Sequence, residues 1–103
     1  MTKNASLNIQ QIINYQEDSI VSKEIVKSDG GSITLFAFDQ GQELTEHTAP
    51  YEALVMIAEG EAEISVSGVW HKVTQGEVLK IPSNASHAVN ASKPFKMMLV
   101  MIK

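Results

Sequence analysis

At 103 residues without cysteine, the chain is sized for one domain with one core, and it excludes disulfides, thiolate metal ligands and a cysteine nucleophile. Hydrophobic residues make up 44%, as in a soluble globular protein, yet no run approaches the roughly 18 consecutive apolar residues of a membrane-spanning helix. The net charge is −4 and all eight cations are lysines scattered from Lys3 to Lys103, which argues against nucleic acid as a partner; with no arginine, a polyanionic or phosphorylated ligand is disfavoured too.

In chain order, residues 1–6 begin no apolar h-region of a secretory signal, so a cytoplasmic protein is expected. Leu7, Ile9, Ile12 and Ile13 then fall near helical spacing around Asn8, a candidate cap. A short helical or irregular N-terminal segment is expected over residues 8–15. From Ser19 onward the signals are those of strands. Ile20-Val21 and Ile25-Val26 lead to a tight turn at Asp29-Gly30-Gly31, residues 33–38 are β-branched and aromatic, and Asp39-Gln40-Gly41 breaks the run. Residues 54–58 form an apolar run, followed by Glu59 and ended by Gly60. Residues 61–66 alternate polar and apolar, as a strand with one wet and one dry face does, and Ser67-Gly68 turns them back into a partner strand over residues 69–73. Residues 78–81 and 88–89 read as further short strands. Residues 95–102 are apolar on both faces apart from Lys96, the pattern of a strand covered on both sides.

Short strands at this spacing, separated by Gly, Pro and Asn, indicate an antiparallel sandwich or barrel rather than alternating βα units. There is no internal repeat, linker or low-complexity tract, so residues 1–103 are read as one all-β domain.

Two stretches carry the candidate chemistry, each with a Gly, an alternating apolar run and one His: Gly41 to Gly60, with His47, and Gly76 to Asn90, with His87. They resemble the paired motifs of the cupin superfamily, G-x5-H-x-H-x3-4-E-x6-G and G-x5-P-x-G-x2-H-x3-N. Gly41, His47 and Gly60 match the first; Gly76, Pro82 and His87 match the second in register. The resemblance spans residues of about 33–102 and implies an antiparallel jelly-roll β-barrel whose mouth brings His47 and His87 together.

In cupins the two His and the Glu of the first motif and the His of the second commonly hold a divalent metal. Here Ala49 stands at the second His and Ala53 at the Glu, while Glu52 lies one residue early. Adjacent strand residues face opposite sides, so Glu52 would join the imidazoles only if a bulge at Pro50 or Tyr51 re-aimed it. With it, His47, His87 and Glu52 would form a set suited to Zn, Mn, Fe or Ni. Asn84 stands at a motif Gly and Asn90 comes one residue early.

Other conspicuous residues have plain structural readings. Met56, Met97, Met98 and Met101 suit core filling, His71 an exposed hairpin, and Glu59, Glu61 and Glu63 a solvated strand face. Glu43 and Glu46 flank His47 and are candidates for tuning it. Two function classes follow. One is a binding module that holds a small, largely apolar molecule at the mouth, lined by His47, His87, Ala49, Phe36, Phe38, Tyr51 and Val55. The other is a metal-dependent enzyme resembling cupin dioxygenases, isomerases or decarboxylases and using His47, His87 and Glu52. No Ser-His-acid arrangement is readable. The small barrel, its open edges and the apolar strand 95–102 also lead us to expect a homodimer, with residues 19–38 adding to the neighbour's sheet.

Overall fold

The computed structural model describes residues 6–103 and contains nine strands: β1 (Ile20–Ser28), β2 (Gly31–Phe38), β3 (Glu43–His47), β4 (Glu52–Glu59), β5 (Glu61–Val66), β6 (Val69–Thr74), β7 (Val78–Ile81), β8 (His87–Asn90) and β9 (Phe95–Ile102). They form two antiparallel sheets, ordered β1-β2-β9-β4-β7 and β3-β8-β5-β6. The fold is the expected all-β jelly roll, and the expected strands are present. β3 is additional. Its sequence, Glu-Leu-Thr-Glu-His, has one apolar residue in five and four of its side chains are exposed, so it lacks the alternation that marks the others.

Side-chain alternation sends one face of each sheet inward, and these two faces share a core. Phe38 and Phe95 stack at its centre with ring centroids 4.6 Å apart, packed among Ile57, Ile64 and Val55. The turns obey their residues. Ser67 and Gly68 both take positive φ, as a two-residue hairpin matched to strand twist requires. Gly60, between β4 and β5, has φ +77°, and a Cβ there would lie 2.6 Å from the carbonyl oxygen of Pro94, so no other residue fits without a shift.

The outer face of the five-stranded sheet is partly covered by the N-terminal segment. No helix forms among the described residues: Asn8 instead closes a turn, its side chain accepting from the Gln10 amide at 2.9 Å and its carbonyl from the Gln11 amide at 2.9 Å. This asparagine competes with the helix for the backbone amides. The turn delivers Ile9, Ile12 and Ile13 onto Leu35, Ala37 and Met98, which explains why β9 is apolar on both faces. Lys96, only 7% exposed, fastens the segment. Its Nζ donates to the Gln10 carbonyl at 2.5 Å, lies 3.8 Å from Glu59 and sits 5.0 Å above the Tyr15 ring, while the Tyr15 hydroxyl donates to Glu59 at 2.5 Å.

Replacing Lys96 with Ala strands the Gln10 carbonyl and Glu59, at a cost of about 1–3 kcal/mol. Hydrogen exchange should then quicken over residues 8–15 and leave β5 and β8 protected. Burial, followed by the hydrogen bond and negative charge of Glu59, raises the Tyr15 pKa well above the ordinary tyrosine value. A raised folded-state value means that the segment's stability is complete below a pH of about 10 and falls as pH rises beyond it. Alkaline loosening of residues 8–15, followed by hydrogen exchange, should therefore weaken in Tyr15→Phe.

Candidate functional site

His47 ends β3 and His87 begins β8, and the two strands pair them directly across the ladder. On β8, Val89 and His87 are two residues apart and share the inner face. On β3, Leu44 and His47 are three apart, yet Leu44 pairs with Val89 and His47 with His87. The register shift between them is a bulge that adds one residue to β3. Without it, period-two alternation would aim His47 at solvent. The imidazole rings lie with centroids 4.1 Å apart at 60°.

Each ring is oriented by a carbonyl two residues before it. The Nδ1 of His47 lies 2.8 Å from the Thr45 carbonyl, inside the bulge, and the Nδ1 of His87 lies 3.1 Å from that of Ala85. A carbonyl oxygen only accepts, so each Nδ1 is the donor in these contacts, and a neutral ring held in this way keeps its lone pair on Nε2. The segment containing Ala85 is tied to the one after β3 by the Asn84 amide, which donates to the Ala49 carbonyl at 2.8 Å. Asn84 has φ +66°, a conformation that asparagine tolerates, which explains how it stands at a glycine position.

The rings border a cavity of about 60 Å³ whose other walls are apolar: Phe36, Val55, Ile81, Met97 and Leu99 from the five-stranded sheet, Leu44 and Val89 from the other. Of the residues expected there, His47, His87, Phe36 and Val55 line it. Phe38 lies deeper, fully buried against Phe95; Ala49 lies in the loop after β3, and the half-buried Tyr51 ring sits below the Lys103 ammonium, 5.7 Å away. None of those three lines the cavity. Leu44, Ile81, Val89, Met97 and Leu99 went unassigned, though the inward phase of β7, β8 and β9 would have located most of them. Met97, read as core filler, is both core and wall.

Glu52 does not join the imidazoles. It shares the outer face with Leu54, opposite to Val55, and its carboxylate pairs with Lys80 at 3.1 Å. The bulge falls before His47 rather than at Pro50 or Tyr51, so it re-aims the histidine and leaves the glutamate outside. Glu43 faces outward opposite Asn90, and Glu46 lines an external groove, so neither enters the cavity. His71 is exposed on β6, as expected. A larger open groove of about 520 Å³ at Gly60, Thr74 and Pro94 contains no histidine, and its Glu61 is held below the ordinary carboxylate range by hydrogen bonds from Lys72 and Lys93.

A cupin domain model matches residues 34–102. The chain belongs to the cupin domain family. Two solved structures cover nearly the whole of this cupin: a conserved protein of unknown function from Streptococcus pyogenes, 31% identical with a TM-score of 0.94 over 100% of this chain and 90% of that one, and a cupin superfamily protein from Desulfitobacterium hafniense, 25% identical with a TM-score of 0.92 over 99% and 94%. A cupin 2 conserved barrel domain protein from Leptotrichia buccalis is 37% identical with a TM-score of 0.91, covering 94% of this chain but 47% of its own. No curated protein matches.

The divalent metal associated with the fold does not fit the residues present. The described residues contain no cluster of three or more His, Cys, Asp or Glu able to hold an ion, and the mouth offers two imidazoles where zinc takes three or more protein ligands. Ala53 faces inward between Ile81 and Met101 in register, and Ala49 neighbours the Asn84 turn. Installing Ala49→His with Ala53→Glu should therefore raise nickel and zinc affinity, measured by calorimetric titration, well above the parent's. Equal affinities would contradict the placement of these alanines at ligand positions.

Proposed function

We propose that this cupin is a binding barrel for a small, largely apolar molecule bearing one O–H or N–H donor. The support is the paired imidazoles: two Nε2 lone pairs, set by carbonyls at Nδ1, border a cavity otherwise made only of hydrocarbon, aromatic and thioether groups. A donor at the mouth meets an acceptor, and the apolar remainder enters the barrel, where burial favours it by roughly 25 cal/mol per Å² of apolar surface removed from water. At about 60 Å³ the space holds a short apolar end only, so specificity rests on the part that enters and on the donor. The metal-dependent reading needs a third protein ligand that positions 49, 52 and 53 do not supply.

Methyl-labelled methionine gives a direct test, because Met97 lines the cavity while Met56 and Met98 pair across the opposite face. Titration with propan-1-ol through hexan-1-ol should shift the Met97 methyl and both imidazoles saturably and leave Met56 unmoved. Matched methyl ethers, lacking the donor, should bind more weakly, and the His47→Ala, His87→Ala double variant, which removes both acceptors, should abolish the preference for the alcohol. Equal responses to alcohol and ether, or none at Met97, would overturn the reading.

A further inference from the structure

The outer face of the four-stranded sheet carries a second concavity, separate from the cavity between the histidines. It is a groove of about 360 Å³ whose lining includes Glu43, Thr45, Glu46, Trp70, Ala88 and Asn90. The order β3-β8-β5-β6 places Trp70, on β6, two strands from Ala88 on β8, so the indole must lean across β5 to wall the groove. Ser65, opposite Trp70 on β5, is 2% exposed, whereas Trp70 itself is 58% exposed. Ala88, paired with Ser65, supplies a low floor. The result is an aromatic wall above a small apolar floor.

The opposite rim is acidic. Glu43 and Glu46 come from β3, and Glu43 pairs in register with Asn90, whose amide donates to Glu63 at 3.2 Å. Among the described residues, no lysine lines the groove. Lys72, across the ladder from Glu63, is held by Glu61 at 3.0 Å.

We propose that this groove binds an organic ammonium ion, quaternary or N-alkylated. An indole face attracts a cation through its quadrupole, most strongly when the cation is weakly hydrated, and the carboxylates of Glu43 and Glu46, which pair with no lysine among the described residues, add Coulomb attraction at the rim. N-alkyl groups suit the indole and the alanine floor better than a strongly hydrated metal ion or a bare ammonium does. The groove's volume falls within the range of small-molecule sites.

Trp70 is the chain's one tryptophan, so its fluorescence reports this groove alone. Choline titrated into the protein should change the emission saturably. Its neutral isostere 3,3-dimethylbutan-1-ol should act about tenfold more weakly or not at all, because the cation–π and rim attractions vanish with the charge. The Glu43→Gln, Glu46→Gln double variant keeps the fluorophore and changes only exposed groups, and it should also weaken choline by about tenfold while leaving the isostere unaffected. Equal responses to choline and isostere, or unchanged choline affinity in the double variant, would overturn the proposal. So would an emission that follows protein concentration and ignores choline, since a second copy of the chain would then cover the groove.

Discussion

An antiparallel ladder has a side-chain period of two, and β3 breaks it by one residue between Leu44 and His47 while β8 keeps it from Val89 to His87. That extra residue turns His47 toward His87. It also frees the Thr45 carbonyl to hold the His47 ring, so a single irregularity sets both the direction of the imidazole and the nitrogen that carries its proton. His87 reaches the same state through Ala85, in a turn that Asn84 ties back to the loop after β3. The two rings are thus fixed by backbone groups, and the chemistry at the mouth depends on ladder register more than on neighbouring charges.

The two sheets present outer faces of opposite character. On the five-stranded sheet, the isoleucines of the N-terminal segment cover part of an apolar surface, and the buried Lys96 neutralises the cost of its own burial with the Gln10 carbonyl, Glu59 and the Tyr15 ring. On the four-stranded sheet the outer face is polar, with cross-strand ion pairing between Lys72 and Glu61 and a tryptophan lying over Ser65. An aromatic residue of that size on an otherwise hydrophilic strand face is the informative exception to alternation, because nothing in the core requires it.

Much of this was legible in the residues. Period-two alternation in 61–66, the Ser67-Gly68 turn, the doubly apolar 95–102 and the two glycine-and-histidine motifs were enough for the barrel and for the meeting of His47 with His87. Three features were not. The Thr45-Glu46 bulge has no local signature: neither residue is a glycine, and its cause lies in the pairing with β8. The direction of Glu52 hung on whether a bulge fell at Pro50 or Tyr51, which alternation alone could not decide; the bulge falls earlier, and Lys80 holds Glu52 outside. The isoleucines near residue 12 sit at helical spacing, but a turn capped by Asn8 buries them against Leu35 and Ala37 equally well, which propensity over so short a segment could not decide.

The measurement closest to the centre of this account is the protonation pattern of the two rings, read by long-range ¹H–¹⁵N correlation in solution above the imidazole titration range. Two Nδ1–H tautomers, with Nε2 unprotonated in both and cross-relaxation between the His47 and His87 ring protons, are the predicted result. An Nε2–H tautomer in either ring, or no contact between them, would mean that the bulge does not turn His47 inward and would contradict the site built upon it.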